Sequence, residues 1–88
     1  MEAAVQRLNG KQKQNVEIIV HVDESLDEEQ RNELISMLEQ DEAINSAEFC
    51  PLRYHLMLVN YNRHMLASHQ VLGRVISQNV HAELIGPV

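Results

Sequence analysis

Apolar positions along this chain follow two periods, and the switches between them mark the predicted elements. "VEIIVHV" (Val16 to Val22) is β-branched and alternates imperfectly, which predicts a central strand with one face on helices and the other partly wet. After "DESLDEEQRNE" the period lengthens: Leu34, Ile35, Met37 and Leu38 give one buried helical face, and the stripe stops near Asp41. This predicts a helix over about Leu26 to Gln40. Its start carries Ser25-x-x-Glu28, the pattern of a capping box, and Asp27, Glu28 and Glu29 suit the positive end of the helix dipole. Two strand-like runs follow, Ala43 to Cys50 and Tyr54 to Asn62, joined as a hairpin by Pro51-Leu52-Arg53. Ser68 is the expected N-cap of a second helix with the stripe Val71, Leu72, Val75 and Ile76. The chain then resumes as a strand over Val80 to Ile85, closed by Gly86-Pro87. Met1 to Asn15 lacks periodicity and reads as a mobile arm, leaving one domain from residue 16 to 88.

The order β-α-β-β-α-β, with right-handed crossovers, predicts an α+β ferredoxin-like sandwich. Four antiparallel strands take the spatial order 4-1-3-2, and both helices lie on one face. Alternation then assigns Val20, Val22, Met57, Val59, Tyr61, Ala82 and Leu84 to the helix side. Ile19, His21, Leu56, Leu58, His81 and Ile85 fall on the bare side.

Composition narrows the function classes. The net charge is −6, and the stretch Asp23 to Glu48 carries ten acids against the lone Arg31. Nucleic acid is disfavoured, because phosphate binding needs a basic footprint and usually stacking aromatics, and only Phe49, Tyr54 and Tyr61 are aromatic. The acid run is read either as a solvated helix face or as a docking face for a basic protein partner. With no apolar run long enough to span a bilayer and no secretory signal pattern at the start, the expectation is a cytoplasmic chain with no membrane role. The single cysteine, Cys50, excludes an internal disulfide and a thiolate metal cage.

Here the chain resembles the heavy-metal-associated domain of copper chaperones and metal-transporting ATPases, over about Val16 to Gly86. Ala43-Ile44 sits like that family's "GV", Val59 to Asn62 ("VNYN") looks like its "V-x-Y-D", and Ser68 to Gly86 looks like its last helix and strand. The resemblance implies a Cys-x-x-Cys loop at the start of the first helix. Counting back from Ile44, with Leu34 and Leu38 aligned to the family's buried positions, the two cysteines fall on Asp27 and Gln30. A soft Cu(I) ion needs thiolates, so copper chaperoning through that motif is not carried over.

Candidate chemistry elsewhere is sparse. His21 and His81, facing away from the helices near the ends of neighbouring strands, are candidate cross-strand ligands. With Asp23 or Glu24 they suggest a site for zinc, nickel or copper, the alternative being two half-exposed polar residues. Cys50 with His55 suggests a thiolate–imidazole pair or, more simply, an inert half-buried cysteine. Met37, Met57 and Met65 read as packing. No phosphate loop, nucleophile elbow or acid pair assembles an enzyme's roles, and no cofactor is called for. The leading expectation is a non-catalytic binding or adaptor module. Asp27, Glu28, Gln30 and Glu33 meet a basic partner, and the apolar patch Ile19, Leu56, Leu58 and Ile85 forms a homodimer or binds a second target.

Overall fold

The computed structural model describes residues 14–87 of the 88. The predicted arm lies outside the described residues except for its last two positions, and Asn15 already belongs to the first strand. The elements are β1 (Asn15–Val22), α1 (Glu28–Glu39), β2 (Ile44–Cys50), β3 (Arg53–Asn62), α2 (Ser68–Ile76) and β4 (Ala82–Pro87). The sheet runs β2-β3-β1-β4 with every pair antiparallel, the predicted order read from the other edge. This is the ferredoxin-like α+β sandwich.

Alternation along the strands decides which face is covered. Ile18, Val20 and Val22 of β1 and Met57, Val59 and Tyr61 of β3 are buried in one cluster with Leu34 and Leu38 of α1 and Val71 and Val75 of α2. Each such aliphatic side chain contributes roughly 1.5–3 kcal/mol by leaving water, so this face stabilises the fold. Ala82 and Leu84 pack against the same cluster, as the alternation predicts. Ile18 belongs there too. Among the described residues no helix is long and apolar enough to cross a membrane.

Side-chain bonds fix the register and the helix ends. Glu39 accepts the Ala47 N–H at 3.1 Å, satisfying a donor on the edge strand β2, and Asn45 donates to Asn60 at 2.9 Å across the hairpin. Asp41 accepts from the Ala43 N–H at 2.9 Å and from Arg74 of α2 at 2.8 Å. Those two bonds, the backbone one first, hold its carboxyl below the usual range.

Four details differ from the sequence expectations. First, α1 begins two residues later than predicted, and its N-cap is Asp27 rather than Ser25. Both tetrads, Ser25 to Glu28 and Asp27 to Gln30, fit a capping pattern. The longer connection from Val22 also lets Leu26, just outside the cap, pack against the core. Second, Met37 is 45% exposed, as is Ile76 of α2, so each helix buries a narrower stripe, Leu34 with Leu38 and Val71 with Val75. Third, α2 is capped at Ala67: Gln70 accepts the Ala67 N–H at 2.8 Å, and Ser68 is the first helical residue. Fourth, β4 starts at Ala82 rather than Val80. Asn79 takes φ 66°, the left-handed conformation that stops a helix and that asparagine tolerates, and it swings Val80 into the core before pairing begins.

Candidate functional site

The chemistry-bearing residues gather at one end of the sheet, where the loop from β1 to α1 lies between the β2–β3 hairpin and the connection from α2 to β4. The loop is built around its cap. Gln30 donates its backbone N–H to Asp27 Oδ1 at 2.7 Å, and the Asp27 N–H donates to Gln30 Oε1 at 2.9 Å. Two donors that an isolated helix start leaves unpaired are thereby satisfied reciprocally. One oxygen of each side chain is engaged in holding the helix.

Arg31, the one base of the acidic stretch, is turned inward. Its guanidinium donates to the Leu26 carbonyl at 2.6 Å and sits 4.0 Å from the centroid of the Tyr54 ring, tying α1 to the hairpin. Glu28, Glu29 and Glu33 remain exposed along the outer side of α1 and form no ion pair among the described residues. With Asn32, Met37 and Gln78 they line an open groove beside the helix.

His21 and His81 are not cross-strand partners. His21 lies opposite Glu83 in β4 and Leu56 in β3, while His81 precedes the strand that the late start of β4 displaced. Each histidine has its own carboxylate. His21 Nδ1 is 3.1 Å from Asp23 Oδ1, and His81 Nδ1 is 2.7 Å from Glu24 Oε2. Glu24 also accepts the His81 backbone N–H at 2.9 Å, and the Asp23 N–H donates to the His81 carbonyl at 2.8 Å. These bonds latch the chain entering β4 to the end of β1. The hydrogen bond to Glu24, then its charge, raises His81 above the ordinary imidazole range, and the same contact lowers Glu24.

His21 has a neighbour that spacing did not suggest. Pairing between β2 and β3 jumps from Phe49↔Met57 to Cys50↔Arg53, leaving Tyr54 to Leu56 without partners in β2. His55, so released, reaches toward β1: its Nδ1 is 2.7 Å from the Val22 carbonyl, and its ring lies alongside His21 with centroids 5.7 Å apart and planes 15° from parallel. Cys50 is free and half-buried, and His55 is held by β1 instead of by the thiol. Among the described residues no three His, Cys, Asp or Glu side chains are grouped to hold a metal ion.

The bare face of the sheet is a narrow apolar strip between acids. Ile19 is opposite Leu58, both half-buried, with Leu56 beside them. Ile85, the extra residue of a bulge where β4 pairs with β1, is 53% exposed. Glu17, Glu48 and Glu83 alternate with these positions on the same side.

No protein-family model and no curated protein matches the sequence. Solved structures do match the fold. A copper-binding domain from HMA7, a P-type ATPase, superposes with a TM-score of 0.73 over 82% of this chain and 96% of its own, at 14% identity. The chain has the heavy-metal-associated fold. The yeast copper transporter domain CCC2A, solved in apo and Cu(I)-loaded states, gives a TM-score of 0.71 at 11% identity, covering 83% of this chain and 99% of its own. The N-terminal domain of a potential copper-translocating P-type ATPase from Bacillus subtilis, solved with Cu(I), gives 0.70 at 14% identity, with 84% and 91% covered. Identities this low establish the heavy-metal-associated architecture and leave the chemistry to the residues.

Proposed function

We propose that the chain is a non-catalytic binding module on the heavy-metal-associated fold, its cysteine pair replaced by a helix cap and its acidic flank engaging a basic protein partner. The observation that carries this reading is the reciprocal bond between Asp27 and Gln30, the two positions on which the family resemblance places cysteine. A carboxylate and an amide offer hard oxygens to a soft ion, and here one oxygen of each already accepts a helix-start N–H. What remains at this corner is shape and charge. Glu28, Glu29 and Glu33 project without an ion-pair partner among the described residues, and the apolar strip of the bare face is edged by Glu17, Glu48 and Glu83. A partner with apolar residues ringed by Lys and Arg complements both surfaces. A second copy would set acid against acid across a two-fold axis, so self-pairing is the competing outcome.

The cap is tested by restoring thiolates. The wild-type chain is expected to leave Cu(I) with a competing chelator, whereas the Asp27→Cys, Gln30→Cys double variant takes up one equivalent. Stoichiometric Cu(I) uptake by the wild type, abolished by altering Asp27 or Gln30, would overturn the reading. For the flank, reversing the charge at Glu28, Glu29 and Glu33 is expected to weaken binding of a basic partner, most strongly at low salt. Equal affinity of the reversed and native chains at every ionic strength sinks the docking role, and a dimer in light scattering favours self-pairing.

A further inference from the structure

The pairing of His21 with His55 points to a metal site that lies apart from the helix cap and goes beyond the partner reading above. We propose that the Nε2 atoms of these two histidines bind one divalent borderline transition ion, Cu²⁺ ahead of Ni²⁺ and Zn²⁺, at the groove between β1 and the hairpin.

The tautomers follow from the partners. The Val22 carbonyl can only accept, so the hydrogen on the neutral His55 ring is at Nδ1, and Nε2 carries the free lone pair. The ionised Asp23 carboxylate likewise only accepts, which puts the hydrogen of His21 on Nδ1 and leaves its Nε2 open. This is the support that metal-binding imidazoles ordinarily have: the far N–H held by a carbonyl on one ring and by a carboxylate on the other. The two rings come from adjacent strands of a hydrogen-bonded sheet, so their spacing is set by the ladder and by the break in β2–β3 pairing.

The distance between the rings is compatible with a shared ion. Two nitrogens at about 2.0–2.1 Å from one metal lie roughly 3–3.5 Å apart. The rings here are nearly parallel with centroids 5.7 Å apart, so a shared ion requires the half-exposed His21 to turn until its Nε2 lone pair converges with that of His55. Leu26, Leu52, Tyr54 and Leu56 wall the groove, and Arg53 also lines it. Imidazole nitrogens without a thiolate select borderline divalent ions, and the Irving–Williams order puts Cu²⁺ first. Two protein donors leave further coordination positions to water or to a donor atom of another molecule.

The test is titration of the full chain with CuCl₂, NiCl₂ and ZnCl₂, read by calorimetry and by NMR of the histidine ring nitrogens. One equivalent of Cu²⁺ is expected, broadening His21 and His55 first, and Zn²⁺ is expected to shift their Nε2 signals. His21→Gln and His55→Gln should each weaken Cu²⁺ binding at least tenfold, with the thermal melt showing that the fold persists. Asp23→Asn should weaken it by about 10–100-fold, the usual effect of removing an outer hydrogen-bond partner. His81→Ala should leave it unchanged. Absence of binding, affinity that survives His55→Gln, or equal loss in His81→Ala would each overturn the site.

Discussion

The two faces of the sheet are made from the same strands in alternating residues, yet they do opposite work. On the covered side, Ile18, Val20, Val22, Met57, Val59 and Tyr61 meet both helices and are shut away from water. One residue along, Ile19, Leu56 and Leu58 are only half-buried and stand among Glu17, Glu48 and Glu83. Stability is concentrated on the first face, which leaves the second free to vary with what it contacts. The corner around the start of α1 repeats the contrast. The Asp27–Gln30 bonds close the helix start, whereas His21 and His55 keep a nitrogen apiece open beside it.

Truncation breaks the comparison most directly. Met57→Ala removes a fully buried side chain and should cost about 2–5 kcal/mol in denaturant unfolding, while Leu58→Ala, next in sequence and half-exposed, should cost about 1 kcal/mol. Equal losses, or a Leu58 effect that grows with protein concentration, would mean that a second copy covers the bare face in solution.

A smaller effect separates the two histidine–carboxylate contacts. His81 is raised and Glu24 lowered by their mutual bond, so the contact is intact between their titrations. Its contribution is fully present below the ordinary histidine pKa of about 6.5 and fades as pH rises through the raised His81 value; on the acid side it is lost as pH falls through the lowered Glu24 value. In Glu24→Gln, NMR titration should find His81 moved back toward about 6.5. An unmoved His81 would show that Glu24 is not its partner.

Much of the fold was legible because its signals are periodic. Two-residue alternation in "VEIIVHV" and "LMLVNY", and the spacing of Leu34 with Leu38 and of Val71 with Val75, specify faces; faces and connection lengths together leave few topologies. The ends of elements were less legible, for a physical reason. Ser25 and Asp27 both begin acceptable capping tetrads, and the choice between them rests on how much chain is needed to bring Leu26 onto the core. His81 slipped out of β4 because Asn79 turns left-handed, and no spacing rule anticipates that. Sequence spacing sets His55 beside Cys50 across the hairpin. Its approach to His21 depends on a break in strand pairing that alternation alone cannot register. The signal that was available, a histidine near the end of each of two adjacent antiparallel strands, becomes specific only once the register is known.

With ten acids against Arg31, whose guanidinium faces Leu26 and Tyr54, the stretch from Asp23 to Glu48 presents a net negative field to solvent. Such a field acts before contact. It would draw the proposed basic partner in from beyond touching distance and orient it during diffusion, so charge reversal at this corner is expected to change the association rate more than the dissociation rate.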